Sequence, residues 1–288
     1  MAAALTIRPL DSNADFEELE EVQRAIWPGS ELIVVPMHLL TTVAHNGGLV
    51  LGAFDGARMV GFVFGFLGTD DRESHRPAMA RLKCCSHQLG VVPEYRDQGV
   101  GRQLKLAQRQ WALDQGVRLV TWTFDPLESR NANLNIARLG CVSQTYRRNV
   151  YGEMGDELNR GLPSDRFQVD WWITSNRVKQ RLSGKRPPLS EGQMLSAGAS
   201  LVNPPLRTAP GSPVPPDDPD WPDATLALVE IPGDFQSLKQ SDRSLASDWR
   251  LHTRKVFERL FADGYIATDF IHQRQPFSRG VYLLARSE

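Results

Sequence analysis

An apolar strand that runs through a proline into two closely spaced glycines, immediately ahead of an amphipathic helix, constrains this chain more than any other stretch. It reads Leu89-Gly90-Val91-Val92-Pro93-Glu94-Tyr95-Arg96-Asp97-Gln98-Gly99-Val100-Gly101-Arg102. Gly99 and Gly101 free the backbone of Cβ atoms where a ligand must come close, and they permit dihedrals that other residues resist. Leu104, Ala107 and Trp111 then recur at helical spacing up to about Gly116. A helix N-terminus attracts anions through its unpaired N–H groups. The first turn carries Arg102 and Lys105 and no acid, which opposes the helix dipole and suits a bound polyanion.

Three readings of this turn compete. A dinucleotide-binding fingerprint needs a third glycine where Leu104 stands, and a Walker loop needs a Gly-Lys-Ser/Thr that is absent. A plain turn is the bland reading. The whole string Leu-x-Val-x-Pro-x-x-Arg-x-x-Gly-x-Gly resembles motif A of the GNAT superfamily of acyl-CoA-dependent N-acyltransferases. The resemblance implies that Arg96, Asp97, Gln98, Gly99, Val100, Gly101 and Arg102 hold the diphosphate of coenzyme A. It also implies that Val91 and Val92 pair with the pantetheine arm, and that acetyl-CoA or another acyl-CoA is the co-substrate.

Periodicity places strands at Thr6 to Leu10, Leu49 to Asp55, Met59 to Leu67, Ala80 to Val92, Arg118 to Phe124 and Phe167 to Thr174. Helices are expected at Asp15 to Ile26, Met37 to Ala44, Gly101 to Gly116 and Asn131 to Leu139. Interleaved strands and helices imply an α/β (α+β mixed sheet) class, and the resemblance implies a GNAT fold over residues 1–182. Residues 183–222, rich in Pro, Gly and Ser, read as a connector. Residues 223–288 read as a βαββ unit: strand Thr225 to Ile231, helix Leu245 to Ala262, strands Tyr265 to Ile271 and Val281 to Ala285. One helix and three strands make a thin independent core, so this unit is expected to pack on the rest or complete its sheet. The arrangement resembles a bacterial GNAT branch with a C-terminal extension. Its signs are Asn149-Val150-Tyr151-Gly152, Gly161-Leu162-Pro163-Ser164-Asp165-Arg166 and Trp171-Trp172.

Lysine plus arginine, 33, nearly cancels aspartate plus glutamate, 34, so no general charge draws the chain to nucleic acid or an anionic membrane. No run is apolar for the length of a bilayer, and the N-terminus lacks the order of a signal peptide. A cytoplasmic chain is expected. Cys84, Cys85 and Cys141 are too few for a disulfide framework. Cys85 and His87 alternate onto one strand face, but further ligands at a metal spacing are missing, so no metal is expected.

In many members of the superfamily a glutamate on the strand before motif A acts as base, and its place here falls at Cys85. His87, read as sharing that face, is the candidate base because imidazole titrates near neutral pH. A histidine fixed in a polar network is the alternative, and Cys85 as an acylated nucleophile is a lesser one. The tyrosine that commonly protonates the leaving thiolate is replaced by Ile136, and Tyr151 is its candidate substitute. One asparagine among Asn131, Asn133 and Asn135 is expected to cap the helix; Asn131 and Asn135, four residues apart, share a face and are candidates for the pantetheine amides. Arg166, with Arg81 and Lys83 on the face of His87, is the candidate clamp for a carboxylate. The expected partner is a small-molecule amine, an amino acid above all. A protein amine or a non-catalytic acyl-CoA sensor is the alternative, and a homodimer stays open.

Overall fold

A computed structural model describes residues 5–29, 31–152, 161–185, 187, 189–207, 212–273 and 278–286. The chain divides into two compact units at Trp122/Thr123, within the strand Leu119–Phe124. Composition had suggested a division at 182/183 instead.

The sheet of the first unit runs β1 (Thr6–Pro9), β2 (Leu49–Asp55), β3 (Arg58–Thr69), β4 (Leu82–Val91), β5 (Leu119–Phe124). The first four are antiparallel neighbours and β5 is parallel to β4, which makes the sheet mixed. Helix α1 (Asn13–Ile26) begins at a capping box of Ser12 and Asp15, which satisfies two otherwise unpaired N–H groups. Its apolar stripe of Phe16, Leu19, Val22 and Ile26 is buried as the periodicity required. Helix α2 (Met37–His45) follows. Helix α3 (Val100–Asp114) lies on the opposite sheet face from α1: Phe62 meets Trp27 edge to face at 5.9 Å, whereas a Cβ on Gly61 or Gly65 would meet Leu104 or Gln108 at 3.4 and 3.3 Å.

The second unit orders its strands β7 (Arg166–Trp172), β6 (Val142–Arg147), β10 (Ile266–Gln273), β11 (Arg279–Ala285), β9 (Leu226–Pro232), β8 (Ser200–Leu201). The expected C-terminal βαββ unit completes this sheet: β10 joins β6 through Ala267 and Ser143. Helix α8 (Arg243–Ala262) covers it, and Phe167 packs among Phe257, Phe261, Tyr282 and Tyr146 at ring distances of 4.7, 5.2, 5.5 and 5.9 Å. Helices α5 (Asn176–Leu182) and α7 (Phe235–Ser241) and strand β6 carried no sequence signal that had been read.

The expected connector contributes structure of its own. It holds α6 (Glu191–Ser196) and β8, which pairs in parallel with β9. Buried Asn203 makes two backbone bonds to Glu230, at 2.9 and 2.7 Å. The proline-rich stretch is pinned to α8: Trp249 donates to the Pro213 carbonyl at 2.9 Å, and Lys255 pairs with Asp218 at 3.2 Å. Prolines lose little entropy on ordering and leave carbonyls for side chains to bond, so low hydrophobicity did not mean looseness. Residues 186, 188 and 208–211 of that segment lie outside the described residues, as do residues 1–4 of the N-terminus read for a signal.

Two stability measurements follow from the second unit. Asp165, fully buried, accepts Arg254 Nε and Nη2 at 2.8 and 2.9 Å, the Tyr146 hydroxyl at 2.7 Å and the Asn149 N–H at 2.9 Å. Asp165→Ala strands a cation and is expected to cost about 3–5 kcal/mol in urea unfolding; a loss within 0.5 kcal/mol, the scale of ordinary surface changes, would contradict it. Burial, and after it the charge of Lys255, lowers the His252 pKa to about 4. The unfolded imidazole titrates near 6.5, so between those values the unfolded chain binds a proton that the folded chain refuses. Stability present at pH 7 is lost as pH falls through that window, by up to about 3 kcal/mol. His252→Leu should flatten that slope, and an unchanged slope would refute the assignment.

Candidate active site

Strand β4 has unlike edges. It pairs with β3 along its whole length, but with β5 only at Cys84↔Val120 and Cys85↔Thr121. Beyond that rung the ladder between the two strands stops, which, among the described residues, leaves the β5-side edge of β4 open toward the glycine turn. The β3 side carries a bulge: Gly65 faces Ser86 and Phe64 faces Gln88, so His87 is the extra residue. A bulge re-aims one side chain and breaks strict alternation.

His87 is thereby exposed on the α1 side of the sheet, edge-on to Phe64 at 5.5 Å and tilted against Phe66 at 6.4 Å. Although its surface is in part open to water, partial dehydration of the ring lowers its pKa from the ordinary imidazole value, because a partly dehydrated imidazole resists charge. Cys85 is half-buried, and a Cβ on Gly68 would come within 2.9 Å of its Sγ. Cys84 and Ser86 face α3 instead, and burial pushes the Cys84 thiol up to about 12. Gln88, which sequence reading passed over, donates Nε2 to the Ile33 carbonyl at 3.1 Å while its buried Oε1 has no hydrogen-bond partner.

At the turn, Asp97 and Gly99 adopt left-handed φ of 62° and 85°. Gly99 is the N-cap of α3, offers no side-chain cap, and has open space where a Cβ would stand. The first turn of α3 carries no acid. An uncapped, acid-free helix start behind two left-handed residues is a fit for a phosphate. Arg96 donates Nε to the Val91 carbonyl at 3.2 Å, and Gln98 bonds the Glu94 carbonyl at 2.8 Å, bracing the loop. Val100 is buried, whereas Gly101 and Arg102 are half-buried at the helix start.

Two expectations here need correction. Val92 donates its N–H to Val60 of β3 at 3.0 Å, so that N–H is committed to the sheet; Val91, whose carbonyl already accepts Arg96 Nε, is left to offer its N–H on the β5-side edge to an extended ligand. Lys105 does not face the turn. It is 3% exposed, and its Nζ bonds Ser86 Oγ at 2.9 Å and Gln108 Oε1 at 3.0 Å and lies 3.5 Å from the Trp122 ring centre. It follows Leu104 on the buried stripe, which the charge argument overlooked.

Of the remaining candidates, Tyr151, Arg166, Asn131 and Asn135 belong to the second unit and Arg81 to the first. Tyr151 is 51% exposed, with its hydroxyl 3.0 Å from Thr123 Oγ1 and its ring under Arg166 at 5.4 Å. Its turn is held by Ser164, whose Oγ accepts the Tyr151 N–H at 2.8 Å, so the two quoted motifs around Tyr151 and Asp165 pack together. Arg166 is not an open clamp: it is buried, 3.8 Å from Asp125, and donates to the Asp165 carbonyl at 2.9 Å. Arg81 sits in a 3-10 turn, Ala78–Arg81, and bonds the Asp70 and Arg76 carbonyls. Asn131 is exposed and Asn135 buried. Helix α4 (Ser129–Ala132) passes into a π-helical stretch, Asn133–Arg138, whose wider turn breaks the four-residue rule. The N-cap is Glu128, not an asparagine.

Among the described residues no cluster of three or more His, Cys, Asp or Glu could hold a metal ion, and no helix is long and apolar enough to cross a membrane. No curated protein matches the sequence. Among solved structures, the chain is similar to the ribosomal-protein-S18-alanine N-acetyltransferase from Escherichia coli, at 17% identity and TM-score 0.45, covering 60% of this chain and 96% of that one. It is similar to Arabidopsis thaliana NAA60 in complex with a bisubstrate analogue, at 19% identity and TM-score 0.48, covering 59% and 98%. A Drosophila melanogaster polyamine N-acetyltransferase gives 17% identity and TM-score 0.44, covering 58% and 99%. The model of the acetyltransferase (GNAT) family matches residues 15–140, which contain the open edge of β4 and the glycine turn. Over those residues the chain is similar to the acetyltransferase domain of that family.

Proposed function

We propose that the protein transfers an acyl group from acetyl- or succinyl-CoA to the amine of a small metabolite, an amino acid, by direct attack. The observation that carries this reading is the open edge of β4, which runs from His87 to an uncapped helix start at Gly99. An extended arm can add to that edge as a strand would. Its diphosphate then meets the N-terminus of α3.

His87 takes a proton from the acceptor ammonium. The free amine attacks the thioester carbonyl, the C–N bond forms as the C–S bond breaks, and the sulfur leaves with the electron pair and takes up the proton that the acylated nitrogen sheds. The lowered pKa of His87 keeps it neutral, and so able to accept, at pH 7. The bulge supplies the positioning, since holding both reactants at near-attack distance does much of the catalytic work. Cys85 packs against Gly68, which favours direct transfer over an acylated cysteine.

Thiol release from acetyl-CoA and succinyl-CoA, with mass detection of the product across amino acids and polyamines, tests the reading. Amino-acid-dependent release supports it; CoA binding with no release on any small amine overturns it. The acid limb of kcat/KM should lie below pH 6.5, the ordinary imidazole value. His87→Gln should lower kcat by roughly 10²–10⁴-fold and abolish that limb, whereas a wild-type profile in the variant would remove His87 from the role. Gly99→Val should weaken CoA binding roughly tenfold or more, since a β-branched residue resists a φ of 85°. Unchanged affinity there would detach the turn from the phosphate.

A further inference from the structure

The surroundings of His87 are apolar and hold one unmet hydrogen-bond acceptor. Phe64 and Phe66 flank the imidazole, and Phe66 is 40% exposed. Gln88, the next residue on β4, is tied to the Ile33 carbonyl, which brings the turn Glu31–Ile33 to the same side of the sheet. Leu32 in that turn is 98% exposed. Solvating a whole leucine side chain forgoes about 1.5–3 kcal/mol of burial. Glu31, beside it in the turn, pairs with Arg24 at 3.1 Å. Meanwhile Gln88 Oε1 is buried with no donor, and leaving such an acceptor unmet costs about 1–3 kcal/mol.

We propose that Gln88, Phe66 and Leu32 form the acceptor subsite beside His87, and that it takes a primary amine borne on a bulky apolar body. This rests on the acyltransfer reading. The amine donates one N–H to Gln88 Oε1 and gives a proton to His87. Its apolar body covers Phe66 and Leu32. An amine with a leucine-, methionine- or phenylalanine-like side chain satisfies all three groups at once. A polyamine would bring a second cation where the described carboxylates Glu31 and Asp70 already pair with Arg24 and Arg72, and a glutamate side chain would leave Phe66 and Leu32 uncovered.

The test uses the full chain saturated with CoA for binding by calorimetry, and with acetyl-CoA or succinyl-CoA for turnover. Its acceptors are L-leucinamide, L-phenylalaninamide, glycinamide, L-glutamate and putrescine. Apolar acceptors should exceed glycinamide by roughly tenfold or more in kcat/KM, the usual discrimination of an apolar pocket, and glutamate and putrescine should fall below them. Leu32→Asp, a change at an almost fully exposed position, should erase most of that ratio. Phe66→Ala should do the same and Phe66→Leu should keep most of it. Preference for putrescine or glutamate, or an undiminished ratio in Leu32→Asp, overturns the subsite while leaving acyltransfer standing. Binding of the apolar amines without transfer supports the subsite and overturns the acyltransfer reading. No binding and no transfer of any apolar amine overturns the subsite.

Discussion

The first unit depends on a mismatch between the two edges of β4. Antiparallel bonding to β3 holds the strand from Leu82 to Val91 without help from its other side. The parallel ladder to β5 then needs only two rungs to fix the crossover through α3. Had β5 paired along the whole of β4, the edge leading to Gly99 would be filled with protein hydrogen bonds and closed to any extended ligand. Lys105 reinforces the arrangement at the point of departure: Ser86 is just past the last rung on β4, Trp122 is just past it on β5, and the ammonium touches both.

The regular parts of both units were legible in the sequence because regular structure has a period. Apolar runs on either side of Gly56 found β2 and β3, helical spacing found α1, α3 and α8, and the glycine turn stood out because left-handed backbone demands particular residues. What escaped were departures from period. The bulge at His87 shifts the strand parity by one, so counting back from Val91 could name the residue but not its neighbours Phe64 and Phe66. The π-helical stretch undid the pairing of Asn131 with Asn135 for the same reason. Arg166 and Lys105 were misread because charge suggests solvent, whereas each is buried against partners far away in sequence, Asp125 and Ser86. Nothing local announces such partners.

The second unit is held by charges in its interior as much as by its aromatic cluster. Arg250 is buried against Asp125, and Arg181 meets Asp269 at 2.6 Å. Pairs of this kind add little net stability compared with apolar packing, yet breaking one is costly. They therefore favour a particular arrangement of strands over its rivals. The pinned proline-rich stretch fits that picture, with side chains of α8 bonding it at Pro213 and Asp218.

The strand pairing of the second unit also sets a timetable. Tyr282 donates to the Pro126 carbonyl across 156 positions, and Arg250 reaches Asp125 across 125. A ribosome adding about 5–20 residues per second delivers those partners several seconds after β6 and β7 have emerged. Through that interval β6 lacks its later neighbour β10, and the emerging chain presents an open strand edge of the kind that invites wrong pairing. The C-terminal strands thus act as a seal applied last, and any change that delays their arrival lengthens the nascent chain's exposure to aggregation.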